Sequence, residues 1–358
     1  MTSADGSGER LDGRMLEMLR LVAPGTVLRQ GLERILRAQT GALIVLGAPS
    51  GVQALFTGGF RIHVSYTAQR LSELAKMDGA LVLDESAHQI LWANVHLMPD
   101  PAVPTVETGT RHRTAERVAR QSGVPVIAVS ESMRTVTLYL GEYRHVVDEA
   151  GAVLSRANQA VQTLQRYRAR CDEASAVLDA AELGGHATLR PVLNLVCRCE
   201  MVRRVALEVE RYEAELGTDA RLLRLQLEDL SAGVEEEQRL AVRDYLRPGR
   251  GVEVADVLEE LGRLSPEELF DAPAVAKVLD LTGNPDALDV GVVPRGYRLL
   301  SRVRGLPNPV INRVVERFGA LKVILAAGVE DLEEVEGVGP GRARNLREGL
   351  RRLAEASS

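Results

Sequence analysis

Apolar and polar positions follow three different rhythms along the 358 residues, and each rhythm predicts a different architecture. Near the start, Met15, Leu16, Met18 and Leu19 recur at helical spacing within Leu11–Leu21. Val27, Leu28, Leu32, Ile35 and Leu36 do so within Val27–Gln39, which Pro24-Gly25-Thr26 caps and Gly41 stops. Ala42-Leu43-Ile44-Val45-Leu46-Gly47 is then wholly apolar between glycines, which predicts a buried strand. A helix over Thr67–Lys76 leads to strands over Ala80–Leu83 and Ile90–Val95. A further strand, Val124–Ser130, precedes a hairpin of Thr135–Leu140 and Tyr143–Val147 around Gly141. Strands interleaved with helices and followed by paired strands predict an α/β domain with a mixed central sheet over residues 11–147. The Ser/Gly/Asp-rich residues 1–10 are predicted to be a flexible N-terminus.

From residue 148 to 290 the spacing changes to long runs of three- and four-residue steps, carried by residues such as Val161, Leu164, Cys171, Leu189, Leu193, Val205 and Tyr212. Gly and Pro fall at the breaks Gly184-Gly185, Pro191, Gly217 and Gly233. This predicts a helical bundle, with helices near 155–182, 190–216 and 220–246, ended by Pro248-Gly249-Arg250-Gly251 and followed by short helices at Val254–Leu261 and Pro266–Phe270. The plainest role for such a bundle is a spine between two working ends. Residues 291–358 carry two related units. In one, Leu299–Arg304 leads through Gly305-Leu306-Pro307 into Val310–Phe318. In the other, Leu332–Glu336 leads through Gly337-Val338-Gly339-Pro340-Gly341 into Arg342–Leu353. The fold class is therefore multi-domain α/β plus all-α.

Composition adds little to the fold and something to the partners. Apolar residues make up 45% and aromatic residues 3% of the chain, so a sizeable core must be built from Leu, Val and Ala. The formal charge of −6 is unevenly spread. Residues 295–358 hold 12 Lys+Arg against 8 Asp+Glu, whereas 151–270 hold 16 against 22. Nucleic acid, if bound, is expected to meet the tail. Cys171, Cys197 and Cys199 match no common zinc spacing and read as reduced, buried thiols. With neither a signal-peptide core nor a membrane-length apolar run, the chain is expected in the cytoplasm, associated with the nucleoid through DNA and with no membrane partner.

The candidate chemistry lies in two turns. Met77-Asp78-Gly79-Ala80 sets a carboxylate just before an apolar run. Gly109-Thr110-Arg111-His112-Arg113-Thr114 opens a helix, whose free amides and positive dipole end suit a phosphate, with arginines beside them. A lone Asp across the site can hold a divalent metal or take a proton from a hydroxyl. Asp-Gly before a strand is ordinarily only a turn, and Arg-His-Arg on a helix is ordinarily a solvated face, so neither decides the matter alone. Gly47-Ala48-Pro49-Ser50-Gly51 lacks the ending of a phosphate-binding Walker loop.

Asp-Gly-Ala followed some thirty positions later by Gly-Thr-Arg-His-Arg-x-Ala-Glu-Arg resembles the diadenylate cyclase domain. The Gly337–Gly341 hairpin resembles a tandem helix-hairpin-helix domain, with Gly305-Leu306-Pro307 a weaker match lacking the second glycine. In this order the motifs resemble the DNA-integrity scanning diadenylate cyclases from about Leu16 to Ala354. The resemblance implies condensation of two ATP molecules into cyclic di-AMP with Mg2+ or Mn2+, in a homo-octamer, and slower synthesis when branched DNA is bound. It implies catalytic roles for Asp78, Arg111, His112 and Arg113. It implies ATP contacts from those residues and from Gly79, Ala80, Leu97 (against adenine), Gly109, Thr110, Thr114, Ser130 and Glu131, with Asp78 and Glu131 on the metal. DNA contacts would come from Gly305, Gly337, Val338, Gly339, Gly341, Arg342 and Arg344. Two rivals remain at this point. A structure-specific nuclease would need clustered carboxylates, often with a lysine, and Lys76 is the only lysine before Lys277. A non-catalytic DNA-binding scaffold would use the arginine-rich turn on DNA phosphates.

Overall fold

The computed structural model describes residues 5–246, 252–280 and 288–356, with side chains over 13–355 of these. The expected end of the bundle at Pro248–Gly251 lies outside the described residues. The chain forms two compact units, Met1–Gln159 with Val209–Leu225, and Ala160–Glu208 with Gln226–Ser358.

The first unit contains α1 (Asp5–Val22), α2 (Val27–Arg37), β1 (Ala42–Leu46), α3 (Ser50–Gln53), β2 (Phe56–Thr57), β3 (Phe60–Ser65), α4 (Ala68–Leu74), β4 (Ala80–Leu83), β5 (Gln89–Leu97), α5 (Thr110–Ser122), β6 (Val126–Val129), β7 (Val136–Leu140) and β8 (Tyr143–Val147). The strands form one sheet in the order β2-β5-β4-β1-β6-β7-β8, with β3 also on β5. It is mixed, since β1 and β4 are parallel while β1–β6 and β4–β5 are antiparallel. Both faces are covered, which is why β1 reads as a continuous apolar run. Leu43 and Val45 pack with Val118 and Ala119 of α5, while Ile44 and Leu46 pack with Leu28 and Leu32 of α2. Thr26 caps α2 by accepting from Arg29 N at 3.1 Å.

Helix α1 begins at Asp5, inside the 1–10 segment expected to be flexible, of which residues 1–4 lie outside the described residues. Once Leu11–Leu21 has nucleated a helix, adding a turn at its N-terminus costs little. Strand β3 was not expected at all.

The later elements are helices: α6 (Ala150–Leu183), α7 (Leu189–Leu216), a 3-10 turn (Gly217–Ala220), α8 (Arg221–Ser231), α9 (Val234–Tyr245), α10 (Val254–Arg263), α11 (Pro266–Phe270), α12 (Ala272–Val278), α13 (Tyr297–Ser301), α14 (Asn308–Phe318), α15 (Leu321–Ala326), α16 (Val329–Glu333) and α17 (Pro340–Ala356). The helix expected over 220–246 is two helices, α8 and α9, parted where Gly233 takes φ 75°. Pro191 interrupts nothing, because it falls in the first turn of α7, where its missing N–H costs no hydrogen bond.

The expected boundary at residue 290 does not separate compact units, and buried charge explains why. Arg298, fully buried on α13, pairs with Asp179 and Glu182 of α6 and Glu237 of α9. Asp244, also buried, accepts the amides of Gly296, Tyr297 and Arg298 at 2.7, 2.6 and 2.8 Å. A single apolar cluster then joins Leu240 of α9 to Tyr297, Leu300, Val314, Leu332 and Leu346.

Candidate active site

Register places the predicted turns at one end of the sheet. Ala80 stands beside Leu43, Ala42 beside Val129, and Ala80 beside Val95. The residues just before β4 (Asp78-Gly79), just before β1 (Gly41), and just after β6 (Ser130-Glu131) therefore share that end. With adjacent strands about 4.8 Å apart, the first and last of these are separated by roughly 10 Å. This end carries the amino termini of the parallel pair β1 and β4. The usual preference for carboxyl ends belongs to sheets with helical crossovers between many parallel strands, and here only one pair is parallel.

Helix α5 completes the site. A Cβ at Gly41 would collide with the Arg111 guanidinium and lie 3.2 Å from Val129 O, so Arg111 reaches over the head of β1. Gly109 is the N-cap of α5, and Arg113 N is bonded to Gly109 O. The amides of Thr110, Arg111 and His112 accordingly have no intrahelical acceptor. Buried Glu116 anchors the approach to this helix, accepting from the Thr105 hydroxyl and from Val106 N at 3.2 Å. Asp78, Thr110, Arg111, Arg113 and Glu131 are exposed. Gly79 adopts φ 108°, and a Cβ there would lie 2.9 Å from Asn94 Oδ1. Only glycine lets this turn settle on β5.

His112 is held more firmly than the sequence suggests. Its Nδ1 lies 2.8 Å from the Tyr139 hydroxyl, which donates to Glu107 at 2.7 Å, and Arg144 donates to the same oxygen at 2.6 Å. Since the tyrosine proton points at Glu107, the network assigns the His112 proton to Nδ1 and leaves a lone pair on Nε2. Burial, helped by the charges of Arg144 and Arg111, holds His112 below the ordinary histidine range. A neutral imidazole with a free Nε2 receives a hydroxyl proton better than it binds a phosphate oxygen. Glu107 is held below its usual range: burial opposes ionisation, and the bonds from Tyr139 and Arg144 outweigh it.

Other expected residues are placed less directly. Ala80 is buried and offers only its backbone. Leu97 belongs to the sheet core with Val52 and Leu55, while its neighbour Met98 is 66% exposed. Ser130 Oγ accepts from Met133 N at 3.2 Å, and Thr114 Oγ1 donates to Thr110 O at 3.0 Å. Sequence reasoning missed Gly41, Glu107, Tyr139 and Arg144. Tyr139 had one usable signal, a single polar-tipped aromatic inside the apolar run of β7.

Tyr139→Phe tests the network. It strips a partner from both His112 and Glu107, with an expected loss of about 1–2 kcal/mol in denaturant unfolding. Turnover is expected to fall roughly 10- to 100-fold as the imidazole drifts.

Residues 29–143 match the family model described as DisA bacterial checkpoint controller nucleotide-binding, and residues 147–288 match the DisA bacterial checkpoint controller linker region. The DNA integrity scanning protein DisA of Acidothermus cellulolyticus is 54% identical over 356 residues, which span 99% of this chain and 96% of that relative. The chain belongs to the DisA family. DisA proteins of a Parafrankia species and of Streptomyces avermitilis are 55% and 53% identical, over 95% and 98% of this chain and 95% of each relative. As a DisA family member the chain is a diadenylate cyclase, a nucleotidyltransferase. The DisA nucleotide-binding match spans every expected ATP-site residue from Asp78 to Glu131, and α13–α17 lie beyond both matched regions. No helix among the described residues is long and apolar enough to cross a membrane.

Proposed function

We propose that two cyclase domains face one another, each holding one ATP, and join the two nucleotides into cyclic di-AMP with release of two pyrophosphates. The observation that carries this reading is the convergence of Asp78-Gly79, the Arg111 guanidinium and Ser130-Glu131 on one sheet end. One such site suits one triphosphate, and ring closure needs two. In each half-reaction a ribose 3′-hydroxyl oxygen forms a bond to the α-phosphorus of the opposite ATP, the bond to pyrophosphate breaks, and the hydroxyl proton leaves. Arg111, Arg113 and the free amides of α5 hold the phosphates, so catalysis is chiefly positioning and charge stabilisation. Asp78 orients the hydroxyl, and the Nε2 lone pair of His112 is a second acceptor nearby on α5.

A Mg2+ or Mn2+ ion would be held by Asp78 and Glu131. No group of three or more His, Cys, Asp or Glu side chains converges among the described residues, and such ions commonly take one or two carboxylates with substrate phosphates completing the shell. Bound there, the ion neutralises phosphate charge.

The tail reads as tandem helix-hairpin-helix units, α13–α14 and α16–α17, that grip branched DNA by its phosphates and slow synthesis. Gly305 and Gly337 begin the two hairpins with φ 81° and 85°. The first intrahelical amide bond of α17 is Ala343 N to Gly339 O, which leaves the Gly341 and Arg342 amides for a phosphate. Arg342 and Arg344 stand over this turn, bonded to Gly337 O at 2.7 Å and Pro340 O at 3.1 Å. Val338 is buried and serves the hairpin's packing. Such contacts read no bases, so binding is independent of sequence. A homo-octamer, as the family resemblance implies, would pair every site.

Incubating the full chain with ATP and Mn2+, without DNA, should yield a cyclic dinucleotide by mass spectrometry, at a rate that falls when branched DNA is added. Accumulation of a linear dinucleotide alone would sink the facing arrangement. Gly337→Ala places a Cβ at φ 85° and 2.8 Å from Arg313 Nη2. With strain of about 1–3 kcal/mol, branched-DNA affinity in a binding titration should drop about tenfold or more, while synthesis without DNA is unchanged.

A further inference from the structure

The cysteines take no part in the chemistry above, yet two of them meet. Cys171 of α6 and Cys199 of α7 are both buried, and their sulfurs lie 3.2 Å apart. Cys197 is only partly buried and, two residues from Cys199, projects from a different side of α7. Cys171 also lines a cavity of about 160 Å3 with Arg168, Ser175, Glu237 and Arg302. Both guanidiniums at this wall are fixed. Arg168 donates to Leu230 O and Ala232 O at 3.0 and 2.7 Å, and Arg302 to Ser175 Oγ at 2.7 Å.

We propose that Cys171 and Cys199 form a reversible dithiol that reacts with hydrogen peroxide entering through this cavity. A water molecule occupies about 30 Å3 in the liquid, so a peroxide fits and a glutathione-sized disulfide does not. The hydrogen bond between the two sulfurs holds Cys171 below the usual thiol range, against burial and the charge of Asp172. The same hydrogen bond, and then burial, push Cys199 upward. Cys171, the one of the two that lines the cavity, is the attacking sulfur and Cys199 behind it the resolving one.

The Cys171 thiolate attacks one peroxide oxygen. An S–O bond forms, the O–O bond breaks, and the departing hydroxide takes up the proton released by Cys171, giving water and a sulfenic acid. The Cys199 sulfur then attacks Cys171, an S–S bond forms, the S–O bond breaks, and hydroxide leaves with the Cys199 proton as a second water. Two thiols are oxidised by two electrons and one peroxide is reduced. A dithiol reductant reverses the change.

The full-length protein is treated with a small excess of hydrogen peroxide, then alkylated and mapped by mass spectrometry without reduction. The expected result is a loss of about 2 Da and a Cys171–Cys199 cross-linked peptide, with Cys197 still alkylatable, and Cys197→Ser behaving like the parent. Cys199→Ser should instead trap an adduct of about 16 Da on Cys171. Full alkylation of both residues after treatment that oxidises surface methionines, or a cross-link through Cys197, overturns the proposal. The parent protein's peptide map decides the matter even if a serine variant folds poorly.

Discussion

Asp78→Asn abolishes cyclic dinucleotide synthesis, by a factor on the order of 10²–10⁴ in turnover at saturating ATP, while the protein stays folded and binds branched DNA as before. The substitution keeps the side chain's shape and removes its charge. Asp78 is exposed on its turn, so unfolding free energy should move by no more than about 0.5 kcal/mol. Turnover and a DNA-binding isotherm on the same preparation check both halves. Unchanged turnover would remove Asp78 from the site. Gly79→Ala is the companion: it leaves the carboxylate in place, but its Cβ would lie 3.0 Å from the Asn94 carbonyl carbon, so a comparable loss there would point to the turn's seating on β5.

Arg298→Met is expected to destabilise the protein by about 3–5 kcal/mol, because it leaves buried carboxylates without their cation. Asp179, Glu182 and Glu237 all pair with this one guanidinium. Arg302 still reaches Asp179 and Glu237, so Glu182 is the group most exposed to the change. Burial already raises its carboxyl above the usual range, with the Arg298 charge opposing. A carboxyl raised in the folded state contributes stability that is present below its unfolded value and is lost as pH rises through the folded one. Removing Arg298 raises it further. The variant's deficit, measured by urea unfolding, should therefore be larger at pH 7 than at pH 5. A variant as stable as the parent at both pH values would show the cluster to be energetically idle.

How much of this was legible in the sequence depended on how local the signal was. Buried strands such as Ala42–Leu46 announce themselves as apolar runs because both sheet faces are covered. Strand Phe60–Ser65 did not. It pairs with β5 and carries Arg61 and His63 among its apolar residues, so its pattern is too broken to read. The two candidate turns were legible because glycines punctuate them at Gly79 and Gly109. The support of His112 was not, since Tyr139 lies 27 residues away and Arg144 a further strand on. Arg298 was illegible for the same reason. A basic residue in a basic tail reads as solvated, and nothing local reveals that Glu182, 116 residues earlier, awaits it.

That clasp also governs how force would travel. Three amides at the start of α13, from its N-cap Gly296 to Arg298, end on Asp244, and the guanidinium beneath them is locked into α6 and α9. The terminal hairpins therefore cannot wave about as a sensor on a string. A pull on the Gly337 hairpin would be carried into the shafts of those two helices, which makes this portion of the molecule a lever and not a leash.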